Sequence, residues 1–181
     1  MSGRSATEKP GHGCGAAWSG PHLARRTFLI GSLASLSGCA GLGAPKPTII
    51  GVRLLADDTI NPSPTGQASP VNVRLYVLKD ETAFLQSDFQ TLYASDAQVL
   101  GSSMLSKKEV LVPPSGNIPI QETVPLEATS LGVLVAFRTI DTAQWRSTIG
   151  LQPGLVNDVQ LNLSGITAKF IPVVVGHKGF P

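Results

Sequence analysis

Residues 70–78 read PVNVRLYVL, and their alternation decides the fold. Val71, Val73, Leu75 and Val77 share one side of an extended chain. Asn72, Arg74, Tyr76 and Leu78 share the other, because successive side chains of a strand point to opposite faces. Upstream, residues 48–56 (TIIGVRLLA) are β-branched and apolar, and they lie between Pro47 and the pair Asp57-Asp58. That pattern reads as a first strand. The segment between, residues 57–70 (DDTINPSPTGQASP), holds three prolines, Gly66 and several Ser, Thr and Asn residues. It reads as a loop, because such residues favour turns over ladders.

Downstream the period changes. In residues 80–93 (DETAFLQSDFQTLY), Phe84, Leu85, Phe89, Leu92 and Tyr93 recur at helical spacing, and Asp80 or Thr82 can cap the start. A second helical piece is expected over 95–105, with Val99, Leu100, Met104 and Leu105 as its apolar face. Strands then return at 107–112, 118–124, 131–140, 155–163 and 166–175. The first two are joined by the turn PPSGN at 113–117. Residues 131–140 (LGVLVAFRTI) are almost continuously apolar, as in a strand covered on both faces. Pro172 marks an edge or a strand end. Residues 141–148 (DTAQWRST) read as a connection carrying Trp145 and Arg146, and 176–181 as a disordered tail. The sum is a mainly β protein: a β-sandwich of seven or eight strands with a short helical insertion between the second and third strands. Phe84 and Phe89 are expected to plug the core, and Trp145 to plug the sandwich edge with Arg146 stacked on it.

Outward toward the N-terminus, residues 21–43 read PHLARRTFLIGSLASLSGCAGLG. Arg25 and Arg26 precede about ten apolar residues, too few to span a ~30 Å hydrocarbon layer as a helix. Small residues and a cysteine follow. This is the order of an export signal: positive, apolar, small. Leu36, Ser37, Gly38 and Cys39 match the lipobox of bacterial lipoproteins at every position. A thiolate is nucleophilic enough to accept a diacylglyceryl group as a thioether. Small side chains at Ser37 and Gly38 admit the backbone to a peptidase, and Leu36 fills an apolar subsite. The expectation is cleavage of residues 1–38, a diacylglycerol thioether and an N-acyl chain such as palmitate on Cys39, and a flexible linker over 39–47. Several acyl chains make such an anchor effectively permanent. Ala40 stands where Asp would retain a lipoprotein at the inner membrane, which favours the periplasmic face of the outer membrane. Arg25 and Arg26 also begin an RRTFL run like a twin-arginine signal. Two arginines serve a general export signal equally well, so both routes stay open.

Charge and composition exclude several functions. Of 14 basic residues, four lie in 1–38, with one of the 12 acidic ones, so 39–181 is close to neutral. Nucleic-acid binding needs clustered cations, and none is expected here. The two cysteines, Cys14 and Cys39, leave no disulfide once the leader is removed. His12, His22 and His177 lie in the leader and the tail, so no Ser-His-Asp or Cys-His site can form. No phosphate loop, paired-cysteine metal site or calcium loop is present. Asp57-Asp58 reads as loop solubility rather than as a metal or acid pair. The chain is therefore expected to be no enzyme, with no cofactor beyond its lipid and no small-molecule substrate. The alternative is a lipoprotein holding a small molecule or lipid between its sheets; the few aromatics argue against a drug-like pocket.

The order of these features carries a resemblance. After the lipobox come the first strand, Ile60-Asn61-Pro62, and GQASPVNVRLYVL over 66–78. Phe84, Asp88-Phe89, Leu92, Asp96, Leu100 and Pro113 follow. Leu131-Gly132-Val133, Ala136-Phe137-Arg138 and Trp145-Arg146 complete the series. Over residues 36–165 the chain resembles the TssJ family (also called SciN or VasD), outer-membrane lipoproteins of the type VI secretion system. The resemblance implies a transthyretin-like β-sandwich, structural and not catalytic. It implies binding to the periplasmic C-terminal domain of TssM within a TssJ–TssL–TssM complex. The contact element it implies is the loop between the first two strands, here 57–69, with Asp57, Asp58, Thr59, Ile60, Asn61, Pro62, Ser63 and Pro64 as partner-binding residues. The prolines of this loop limit its conformations before binding, which lowers the ordering cost. Ile60 is expected to stand exposed among its polar neighbours.

Overall fold

The computed structural model describes residues 46–172. They form two four-stranded sheets packed face to face. In chain order the strands are β1 (Thr48–Ala56), β2 (Val71–Leu78), β3 (Met104–Val112), β4 (Asn117–Val124), β5 (Ser130–Ala136), β6 (Arg146–Gly150), β7 (Val156–Ser164) and β8 (Thr167–Pro172). One sheet has the order β4-β1-β7-β8 and the other β3-β2-β5-β6. All pairs are antiparallel except β1 with β7. The mainly β expectation holds, with eight strands and the helices between β2 and β3.

Alternation sets which side chains meet. Ile50, Val52 and Leu54 of β1 turn inward toward Val71, Val73 and Leu75 of β2, and all are buried. β5 is covered on both faces as its composition predicts. Leu131, Val133 and Val135 enter the sandwich core, while Leu134 joins Tyr76 and Leu78 beneath the helices. Gly132 lies on that outer face, and a Cβ there would come within 3.1 Å of the Phe84 ring. A glycine is what lets a phenyl ring lie on the strand. Phe84 is fully buried and packs 5.5 Å from the Tyr76 ring.

The helical insertion differs from its expected form. The expected helix over 80–93 is two: α1 (Thr82–Gln86) and α2 (Phe89–Leu100). The break lies at Asp88, whose carboxylate accepts from the Thr91 backbone N–H at 2.9 Å and the Thr91 hydroxyl at 2.7 Å. An N-cap starts a new helix where the apolar spacing alone would have run on. The expected second piece over 95–105 is absorbed into α2, with non-helical backbone at Ser95. Met104 and Leu105 belong to β3 instead. The strand expected over 131–140 stops at Ala136, and β6 occupies part of the expected connection 141–148. Strand RSTIG carries no apolar alternation; pairing of Arg146 with Leu134 and Gly150 with Ser130 makes it a strand. The last strand is described as far as Pro172, and the expected tail 176–181 lies outside the described residues.

Candidate partner-binding loop

The loop 57–70 leaves β1 at one end of the sandwich and enters β2 at the same end. Its base is tied down. Asp57 receives 2.9 and 2.8 Å hydrogen bonds from the backbone and hydroxyl of Thr59. The Asp57 N–H donates to Leu163 O, and Ser115 N–H donates to Asp57 O. Burial opposes ionisation of Asp57, but hydrogen bonds from Ser164, Thr59 and Gly165 outweigh it and hold the carboxyl below its ordinary value. This carboxylate is consumed internally, so Asp57-Asp58 is no free acid pair.

Ile60 corrects the sequence reading: it is fully buried and part of the core cluster, not displayed. An isoleucine in a polar segment is a core residue whenever the loop can fold it under. Asn61 makes that fold possible. It adopts a left-handed backbone (φ 47°), a conformation Asn tolerates better than most residues. Its side chain donates to Pro70 O at 2.9 Å and accepts from the Arg138 backbone N–H at 2.7 Å. Its own N–H donates to Gly165 O at 2.7 Å. The side chain thus joins the two ends of its loop to the β5 end, and the backbone of the same residue ties them to the β7–β8 turn. The motif residues Asn61 and Arg138, 77 positions apart, meet here.

Beyond Asn61 the loop rises to a tip. Ser63 N–H donates to Gln67 O, Gly66 N–H to Ser63 O, and Gln67 N–H to the Ser63 hydroxyl. Pro62 and Ser63 are half-buried; Pro64, Thr65, Gly66 and Gln67 are exposed, as are Asp58 and Thr59. Gly66 sits at φ 83°, which suits glycine. Of the eight residues expected to bind, Ile60 and Asn61 position the loop, and the accessible surface is Asp58, Thr59 and the tip.

A second polar assembly lies over the outer face of β2, under α2. The buried Asp96 accepts from the Tyr76 hydroxyl and the Lys107 ammonium, both at 2.9 Å. Arg74 pairs with Glu109 at 3.1 Å, and its guanidinium lies 4.2 Å from the Tyr93 ring centre. Burial raises the Asp96 carboxyl, yet Lys107 and Tyr76 pull it below its ordinary value; Tyr76 is pushed up by burial and by Asp96. Further along, Phe89 stacks on Tyr93 and meets Trp145 edge-on, both at 5.3 Å. Arg146 lies over Trp145 and donates to Phe84 O and Ser87 O, closing the end of α1. Trp145-Arg146 is therefore structural, as expected. The network itself was not read from the sequence; the polar outward positions Asn72 and Arg74 on a strand whose other outward residues are apolar were its available signal.

Arg25, Arg26, Leu36, Ser37, Gly38 and Cys39 lie outside the described residues. Among the described residues no cluster of three or more His, Cys, Asp or Glu could hold a metal, and no helix is long and apolar enough to cross a membrane.

An eight-stranded sandwich with helices on one sheet and an anchored loop at one end is the architecture of the type VI secretion lipoproteins. Residues 48–165 match the family described as type VI secretion lipoprotein (VasD, EvfM, TssJ), and the chain belongs to it. It is similar to the type VI lipoprotein TssJ1 from Pseudomonas aeruginosa: 29% identity, TM-score 0.68, over 70% of this chain and 96% of that one. It shares its fold with Lip of Serratia marcescens, a membrane-bound type VI component, at 20% identity and TM-score 0.65 over 71% and 99%. A chain of a structure described as the TssM C-terminal domain from EAEC matches at 26% identity and TM-score 0.58 over 69% and 98%. Comparison with curated protein sequences gives no match.

Proposed function

We propose that the chain is a structural tether, lipidated on Cys39 at the periplasmic face of the outer membrane, that binds the periplasmic C-terminal region of TssM through the loop 57–70. The observation that carries this is the polarity of the sandwich. The linker joins β1 at Thr48, beside Val124 and Leu155, and the loop leaves β1 at Ala56. A nine-residue strand separates them by about 27 Å at ~3.3 Å per residue. On this reading the linker from Cys39 enters at one end and the partner loop lies at the other, which supports simultaneous anchoring and binding. The similarity to a chain in a TssM structure supports the choice of partner.

The alternative of a ligand between the sheets finds little room. The facing side chains Leu54, Val73, Val133 and Leu161 are wholly buried. A groove of about 820 Å³ lies instead on the outer face of the β4-β1-β7-β8 sheet, over Gly51 and Asp158. Two experiments test the tether. Cys39→Ser should lose labelled palmitate and its membrane fraction; label on the mutant contradicts the anchor. The TssM domain should be retained by immobilised 40–181 at micromolar concentration; no retention with both partners folded contradicts the binding.

A further inference from the structure

The linker end carries three exposed apolar side chains: Leu126 (40% exposed), Leu155 (52%) and Val156 (64%). They surround the root of β1. Thr48 faces Val124, two residues before Leu126; Ile49 faces Val156 and donates to Leu155 O at 3.0 Å. Neighbouring strands lie about 4.8 Å apart, so the backbones that carry the three side chains lie within on the order of 15 Å of one another, with Val156 at the edge of the outer-face groove. Water-exposed leucines are common singly, but a cluster marks a contact surface.

We propose that this end rests on the bilayer, with Leu126, Leu155 and Val156 inserted at the lipid headgroup level. The inference rests on the lipid reading of Cys39. The occupant follows from the chain that ends here. Residues 40–47 (AGLGAPKP) connect Cys39 to the patch. Eight residues reach at most roughly 28 Å, and a flexible coil of that length averages about 16 Å. A lipid on Cys39 therefore holds the patch close to the headgroups continuously, so a weak apolar contact is populated without affinity of its own. Charges at this end are mixed: Lys46 and Lys79 against Asp80, Glu81 and Glu127. Attraction to anionic lipid is not what holds it, and the contact is insensitive to salt. Resting on this end points the loop 57–70 away from the membrane, toward a partner in the periplasm.

The test uses the mature lipidated protein in phospholipid vesicles. With Cys39 blocked by lipid and Cys14 upstream of the cleavage site, Leu155→Cys supplies a single thiol for an environment-sensitive dye. Spin-labelled phospholipid should quench that dye several-fold more than the same dye at Thr65→Cys, equally at low and high salt. Adding Leu126→Glu and Val156→Glu should bring quenching down to the Thr65 level, with flotation on vesicles unchanged. Equal quenching at both positions in floating protein overturns the proposal alone; protein that does not float overturns the lipid reading with it. Quenching that appears only after truncation at Pro172 assigns the patch to the chain's own C-terminal segment. Quenching that varies with protein-to-lipid ratio assigns it to a second copy. Either result overturns the bilayer as occupant.

Discussion

At the far end of the sandwich, Asn61 bonds to Pro70, Arg138 and Gly165, and Ile60 is sealed in the core. At the linker end, Leu126, Leu155 and Val156 stand in solvent. The contrast runs against composition. The loop that looks polar and free is fixed by a buried residue, while the plainer connections around the linker expose their leucines. A pre-formed loop binds without a large ordering cost. An exposed apolar rim beside the proposed lipid attachment would have a ready partner in the membrane.

The difference can be broken most forcefully at Ile60. Ile60→Ala should cost about 2–5 kcal/mol in urea unfolding, as for other buried Ile-to-Ala changes, whereas Leu155→Ala should change stability by under about 0.5 kcal/mol. Comparable losses at both would erase the distinction. Asn61→Ala comes next. It removes two part-buried hydrogen bonds, to the Arg138 N–H and to Pro70 O, at about 0.5–1.5 kcal/mol each. It should also weaken TssM binding through disorder of the tip, read by titration.

Acid offers a smaller lever on the same end. Asp57 has a depressed folded-state pKa, so its stabilising effect is complete above the ordinary carboxylate value near ~4 and is lost as pH falls through the lower folded value. Melting temperature should fall less steeply over that window in Asp57→Asn than in the wild type; parallel curves would remove Asp57 from the loop's support. Asp96, depressed by Lys107 and Tyr76, acts in the same direction under the helices, so Asp96→Asn should show the same flattening.

The strands were legible wherever alternation was clean. In β1 and β2, whose inward residues are Ile50, Val52, Leu54 and Val71, Val73, Leu75, the pattern is simply the burial. Sequence reading failed where a long-range partner decides. β6 is a strand because β5 pairs with it, and nothing in RSTIG records that. The helix break depended on the side chain of Asp88, a short-range cue outweighed by the Phe84 and Phe89 spacing. Ile60 was misplaced for a similar reason. Its burial depends on the left-handed Asn61 and on Arg138 far along the chain, so local polarity misleads. Resemblance to the family pointed to the loop as the expected contact element. Which of its residues face outward needed coordinates.

Replacing all of 57–69 would remove Ile60 and Asn61 from the core, so the decisive swap is confined to the tip. Residues 63–67 exchanged for a Gly/Ser turn, titrated by calorimetry with the TssM periplasmic C-terminal domain, test the binding claim directly. The expected result is an affinity at least about tenfold weaker, roughly 1.4 kcal/mol, at an unchanged melting temperature. Undiminished affinity in the folded variant would contradict the loop as the TssM-binding element.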